Sequence, residues 1–330
     1  MTDTASKKAI CLSLNGPKAV VVKEMPNEPL KAGEYRIRMR AAALNFPDLL
    51  MTYGKYQFRP GVPFILGMEG AGIIEEFLDP VSDYSLGDPV LVKGKTGAFA
   101  EHVTVTRTQL AVMPRNLSFE EAAAFSVTYL TAHVSLDDKA RVKPGETVLI
   151  LGAGGGVGQA SVNVAKAMGA IVIAAASSDA KLALAKQSGA DFLINYQKDD
   201  FAVEVQKITN NEGADVILDP VGGEYFEKCF ECIAWAGRIL IVGFAGGEFG
   251  VLKTNLPAKK GCSVIGVRAG EFGRRDPVAG RRSFEKLIKL TEENDLKPLI
   301  GKRWTLDQVK DALIAMERRD VVGKQVVTIA

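Results

Sequence analysis

The stretch Val148-Leu149-Ile150-Leu151-Gly152-Ala153-Gly154-Gly155-Gly156-Val157-Gly158 sets an apolar run against a glycine-rich turn, and the helical pattern Val157–Met168 follows at once. Glycine lets the backbone approach a pyrophosphate closely, and a helix N-terminus offers free N–H groups and the positive end of a dipole. Aligned on Gly158, a dinucleotide fingerprint asks for glycine at 153, 155 and 158, and this chain has Ala153, Gly155 and Gly158. The first glycine is missing, although Gly152 and Gly154 flank the position. A packed structural turn is the plainer alternative, but the strand before and the helix after favour a dinucleotide site.

Working outward, the apolar runs Val148–Leu151, Ile171–Ala175, Phe192–Ile194, Val216–Leu218, Ile239–Val242 and Val264–Val267 alternate with helical patterns such as Asp179–Ser188. Strands buried on both faces and separated by helices predict an open parallel sheet of Rossmann type. Upstream, Tyr35–Met39 and His102–Thr106 alternate as half-buried strands do, between dense turn markers. Ser118 and Glu121 form a capping box for a following helix. Downstream, Phe284–Glu293 and Leu306–Glu317 read as helices and Lys324–Ile329 as a last strand, a tail expected to return to the first domain. A chain of 330 residues exceeds one hydrophobic core. We therefore expect an α/β protein with a β-rich domain over 1–126, completed by 271–330, and a six-stranded cofactor domain over 127–270.

The second strand selects the cofactor. An NAD-specific fold ends that strand on a carboxylate, about 20 residues past the glycines. Here the position falls to Ala176, followed by Ser177, Ser178 and, a turn later, Lys181. A 2′-phosphate wants donors and positive charge, which those three side chains supply. Asp179 is expected in the first turn of the next helix, where it complements the dipole. The plainer reading makes Ser178 an N-cap and Lys181 a solvated lysine; NADPH is the expectation.

Several chemistries are excluded by counting. The chain has two histidines, His102 and His133, and four cysteines, Cys11, Cys229, Cys232 and Cys262. A catalytic zinc needs three ligands and a structural zinc four at tight spacing, so no metal is expected. Cys229-Phe-Glu-Cys232 lacks a second pair and runs into Ile233 and Trp235 in a helical pattern, which suits a core role. His133 is expected in a helix, as core or interface rather than base. Basic and acidic residues number 41 and 39, so the net charge of +2 gives no pull toward nucleic acid or anionic membrane. No run has the length of a membrane span, and the polar Met1–Lys8 offers no signal-peptide core. A cytoplasmic protein is expected.

Taken with Ala43-Leu-Asn45-Phe-Pro-Asp48-Leu-Leu50, Gly54-Lys-Tyr56 and Pro63-Phe-Ile-Leu-Gly-Met68-Glu69-Gly-Ala-Gly72, these features resemble the medium-chain dehydrogenase/reductase superfamily. In its zinc alcohol dehydrogenases a cysteine ligand would fall at Asn45 and a histidine ligand at Met68. Their absence matches the zinc-free quinone oxidoreductases. The likeness continues through Lys143-Pro-Gly145, Asp191–Tyr196, Asp219-Pro-Val-Gly222, Gly243-Phe244-Ala245 and Gly323-Lys324, nearly the whole chain.

The resemblance implies a GroES-like β-barrel as first domain and an active-site cleft between the two domains. It implies Gly155, Gly156 and Val157 over the pyrophosphate, Tyr196 beside Ser177, Ser178 and Lys181 at the 2′-phosphate, and Thr131 with Gly243, Phe244 and Ala245 near the nicotinamide. Asn45 and Tyr56 would line the substrate pocket, with Thr131 and Arg268 as further contacts. A tyrosine found in several relatives is Leu50 here. Homodimers joined edge to edge along the sixth strand are common among such proteins, and Val264–Val267 is apolar enough for that.

The expected reaction is hydride or electron transfer from NADPH to a quinone or related conjugated carbonyl. Asn45 and Tyr56 are the expected catalytic donors to the developing oxyanion, in place of a metal. The alternative for each is structural, Asn45 capping a turn and Tyr56 packing on the barrel. Reduction of an activated C=C bond in an alkenal or enone would use the same residues. A cofactor-binding RNA-binding or redox-sensing protein is an alternative of another class, resting on Arg274-Arg275 and Arg281-Arg282, which a solvated loop explains equally well.

Overall fold

Runs that are apolar at every position, rather than at alternate ones, become interior strands: Val148, Leu149 and Ile150 are all fully buried. The computed structural model describes residues 5–80 and 82–330, so the first four residues of the polar N-terminal stretch lie outside it. The chain forms two compact units, Met1–Val127 with Ile300–Ala330, and Thr128–Leu299.

The first part of the chain carries β1 (Ala5–Cys11), β2 (Val20–Pro26), β3 (Glu34–Ala43), α1 (Phe46–Thr52), β4 (Phe64–Ile65), β5 (Glu69–Phe77), β6 (Pro89–Lys93), β7 (His102–Thr106), β8 (Leu110–Val112) and α2 (Phe119–Ala123). Ser118 caps α2 in the expected capping box. Next comes α3 (Ser126–His133), continued by a π-helical segment, Val134–Ala140.

The second unit then alternates strictly: β9 (Thr147–Ile150), α4 (Gly156–Ala167), β10 (Ile171–Ala176), α5 (Asp179–Gln187), β11 (Phe192–Asn195), α6 (Phe201–Ile208), β12 (Ala214–Asp219), α7 (Glu224–Cys232), β13 (Ile233–Ile241), α8 (Asn255–Lys260) and β14 (Ser263–Gly266). These six strands form one parallel sheet in the order β11-β10-β9-β12-β13-β14, the doubly wound arrangement expected. Its strand order reverses between β9 and β12, where ligands bind in open α/β sheets. Two helices, α9 (Ala269–Arg275) and α10 (Pro277–Glu293), complete this unit.

The chain ends with β15 (Ile300–Thr305), α11 (Val309–Glu317) and β16 (Lys324–Thr328). In the first unit, β16 pairs antiparallel with β3, within a seven-stranded sheet ordered β15-β16-β3-β5-β6-β8 with β7 also on β3. A smaller sheet, β2-β1-β4, lies in the same unit. Tyr35, Ile37 and Met39 of β3 sit fully buried in its core, the alternation read from the sequence.

Three expectations are corrected. Residues 271–299, expected with the first domain, belong to the second unit, where Ser283 of α10 bonds His133 and Asp138. Ile233 and Trp235 are strand, not helix: α7 stops at Cys232, Ile233 turns extended, and β13 begins. The arginine pairs lie on helices rather than a loop, and Arg274 and Arg275 are both paired with Glu271. Both thiols of the cysteine pair are fully buried and bonded to main-chain carbonyls, and burial pushes Cys232 up to about 12. Among the described residues, no helix is long and apolar enough to cross a membrane.

Candidate cofactor and acceptor sites

In the second unit, the turn after β9 shows why its glycines stand where they do. Gly152 takes φ +59°, a conformation that disfavours a side chain, so it makes the tight turn one place before the missing fingerprint glycine. Ala153 is buried and its N–H donates to the carbonyl of Ala175 on β10. A Cβ on Gly158 would lie 2.3 Å from the carbonyl oxygen of Gly152, so glycine is needed there for helix and turn to touch. Gly155 differs: a Cβ there would meet only the Gly152 oxygen, at an ordinary 3.4 Å. The protein's own packing does not require that glycine. Gly155 is exposed, Gly156 and Val157 are half-buried, and Gly156 opens α4. This is an open cradle at a helix N-terminus, which fits a pyrophosphate.

At the end of β10 the structure brings Ser177, Ser178 and Lys181 together. Lys181 Nζ donates to Ser177 Oγ at 3.2 Å, and Ser178 Oγ accepts the Lys181 N–H at 3.4 Å. The stem of Lys181 covers Gly154, where an added Cβ would come within 2.3 Å of Lys181 Cβ. Ser178 caps α5, the plainer of its two readings, and in doing so lies beside the lysine. Asp179 lies in the first turn of α5 and is paired with Asn195 Nδ2 and Lys198 Nζ, each at 2.7 Å. The Lys198 ammonium holds its carboxyl below the ordinary range. Tyr196 follows β11, whose last residue Asn195 is in register with Ala176, and its ring lies 4.8 Å from that of Tyr225.

Gly243, Phe244 and Ala245 follow β13, and the Ala245 N–H donates to the carbonyl of Pro220. Thr131 is half-buried in α3 and its carbonyl accepts from Ser135 Oγ. Arg268 is exposed between β14 and α9, its guanidinium unbonded among the described residues.

In the first unit, Asn45 is buried just before α1, and its side chain belongs to a network the sequence reading missed. Its Nδ2 donates to Glu69 Oε1 at 2.8 Å and, at 3.3 Å, to the carbonyl of Ala43. Lys324 Nζ donates to Asn45 Oδ1 at 2.6 Å and to Glu69 Oε1 at 2.9 Å. The second oxygen of Glu69 accepts the Val127 N–H at 2.7 Å. Asp48 Oδ2 accepts the Asn45 N–H at 2.8 Å, and burial pushes this carboxyl up to about 7, against the pull of Lys324. Glu69 and Asp48 are fully buried and Lys324 nearly so. The available signal was a charge inside an otherwise apolar strand, as at Glu69 in Met68–Ile74. Tyr56 is half-buried against the core of this unit.

Comparison with known proteins follows the same division. The family described as alcohol dehydrogenase GroES-like domain matches residues 31–115, and that described as zinc-binding dehydrogenase matches residues 156–293. The chain is 35% identical to a quinone oxidoreductase-like protein 2 homolog of Nematostella vectensis, over 99% of this chain and 90% of that one. A probable oxidoreductase from Mycobacterium abscessus superposes with a TM-score of 0.91 at 30% identity, covering 99% and 100% of the two chains. A mycobacterial protein solved with NADPH superposes at 0.88 with 26% identity, covering 98% and 99%.

Proposed function

The chain belongs to the quinone-oxidoreductase-type branch of the medium-chain dehydrogenase/reductase superfamily, and from that premise we propose that it reduces a quinone or related conjugated carbonyl with NADPH, without zinc. The observation that carries the cofactor choice is the end of β10. Ala176 stands where a carboxylate would reject a 2′-phosphate, Ser177, Ser178 and Lys181 converge beside it, and Lys198 pairs with the carboxylate of Asp179. The NADPH complex of a similar protein supports the same choice.

Bound NADPH supplies the hydride; the protein supplies alignment and charge. Gly155, Gly156 and Val157 would receive the pyrophosphate, Tyr196 would flank the 2′-phosphate, and Thr131 with Gly243–Ala245 would hold the nicotinamide. Of the two amide hydrogens on Asn45, one is held firmly by Glu69 and the other only loosely by the Ala43 carbonyl. That second hydrogen, with the Tyr56 hydroxyl, would meet the acceptor oxygen as its charge grows. Lys324 and Glu69 fix the amide so that it cannot rotate away. Arg268 would contact the acceptor or the cofactor from its exposed position.

Steady-state oxidation of NADPH and NADH against benzoquinones, naphthoquinones and small enals, with and without a chelator, tests this. We expect chelator-resistant quinone turnover that prefers NADPH. Lys181→Ala should raise KM for NADPH but not for NADH, and Tyr56→Phe should lower kcat. Equal use of both cofactors would remove the cofactor assignment. Turnover of enals alone would change the reaction to C=C reduction.

A further inference from the structure

Outside this machinery, and among the described residues, one group of ligand-type side chains gathers: His133, Asp137 and Asp138, with ligand atoms all within 4.8 Å of one another. Their meeting has a backbone cause. In an α-helix, i and i+4 share a face while i+5 turns away. Here the chain after His133 is π-helical over Val134–Ala140 and closes at Arg141 with φ +53°. The wider turn repeats at i+5, so both carboxylates come to the histidine's side. From α10, Ser283 and Lys286 face the same group: Ser283 Oγ donates to Asp138 Oδ2 at 2.6 Å and Lys286 Nζ to Asp137 Oδ2 at 3.0 Å.

Following the protons identifies what is missing. A serine hydroxyl has one hydrogen, and that of Ser283 is spent on Asp138. In the 3.0 Å contact between Ser283 Oγ and His133 Nδ1, the ring nitrogen must therefore be the donor. A neutral imidazole with its hydrogen on Nδ1 carries a lone pair on Nε2. The His133 side chain is only 5% exposed. Nε2 faces Asp137 Oδ2 at 3.9 Å, a lone pair turned toward a carboxylate with no hydrogen to place between them.

We propose that His133 Nε2 and one carboxylate oxygen each from Asp137 and Asp138 form a binding site for a divalent transition ion of the zinc class. Three protein ligands and a water satisfy Zn²⁺, and the imidazole selects it over Mg²⁺ or Ca²⁺. Ser283 is the outer partner that fixes ring and tautomer, as metal-bound histidines require. The ion would tie the end of α3 to the π-helical segment that follows it, touching α10 only through Ser283. It takes no part in hydride transfer, so a zinc-free reaction and a zinc-binding protein are compatible.

The test uses the full chain, stripped with a chelator and titrated with Zn²⁺ against a chromophoric competitor, with thermal unfolding in parallel. We expect one equivalent to bind and Tm to rise, with no comparable response to Mg²⁺. His133→Gln and Asp138→Asn should each weaken binding roughly tenfold or more. Lys286→Met, which frees Asp137 from a competing ammonium, should tighten it. Co²⁺ in place of Zn²⁺ should give no thiolate charge-transfer band. Absence of uptake, unchanged affinity in folded His133→Gln, or a thiolate band would each overturn the proposal. Should His133→Gln fail to fold, Lys286→Met decides, because unchanged or weaker binding there contradicts the site.

Discussion

Two glycines three positions apart illustrate how differently a residue can be required. Gly158 is held by contact with the Gly152 oxygen, whereas Gly155 has ordinary room for a methyl group. Gly158→Ala should lower Tm by several degrees, as a forced backbone shift does. Gly155→Ala should leave Tm nearly unchanged and weaken NADPH binding, which calorimetric titration beside thermal unfolding would separate. Asp48 carries a pH dependence of defined sign. Its carboxyl titrates near 7 in the folded chain against an ordinary 3.8, so the native state holds the extra proton between those values. Stability contributed by this group therefore falls as pH rises through that window, by at most about 1.4 kcal/mol per pH unit. Asp48→Asn should flatten the slope in urea unfolding, and a slope kept in the variant would assign it elsewhere. Groupings set by local order, such as that of Ser177, Ser178 and Lys181, were legible because a strand end fixes their neighbours. The Asn45–Glu69–Lys324 network was not, since 255 residues separate its two charges along the chain. Removing one member, as in Lys324→Met, should cost about 3–5 kcal/mol of stability by stranding Glu69.

Elements were most legible where burial on both faces left an unbroken apolar run, as at 148–150 in β9, 172–176 in β10 and 216–218 in β12. Periodicity misled where two elements abut. Phe226, Cys229, Phe230 and Ile233 keep helical spacing, yet α7 ends at Cys232 and β13 starts without a loop. The opposite error shortened α10. Its apolar stripe is plain only from Phe284, but the helix begins at Pro277, set by the Asp276 side chain accepting the Ala279 N–H at 2.9 Å. Proline at the first position and aspartate before it are a start signal in their own right. Asp276→Ala should cost about 1 kcal/mol, read as a lower denaturation midpoint with unchanged slope.

At the scale of the whole molecule, the six parallel strands of the second unit could be read in advance because six apolar runs alternating with helices permit few windings. The unit boundary near 300 could not, because α10 is amphipathic and suits either unit; only its partners, His133, Asp137 and Asp138, decide. Among the described residues, edge strand β14 has a neighbour on one side only, with Val264 and Ile265 half-buried. A homodimer paired along it remains our proposal, and sedimentation of the wild type against Ile265→Lys should show dimer giving way to monomer. The return of β16 to β3 has a further consequence, in time rather than space. A ribosome delivers residues 128–299 before Lys324 exists, so the earlier unit must wait, its central strand lacking a neighbour and Glu69 its counter-charge, while the later one is already finished. For this chain the first unit to be started is the last to be completed, and a chain cut short before residue 324 would hold every residue of one unit and leave the other unfinished.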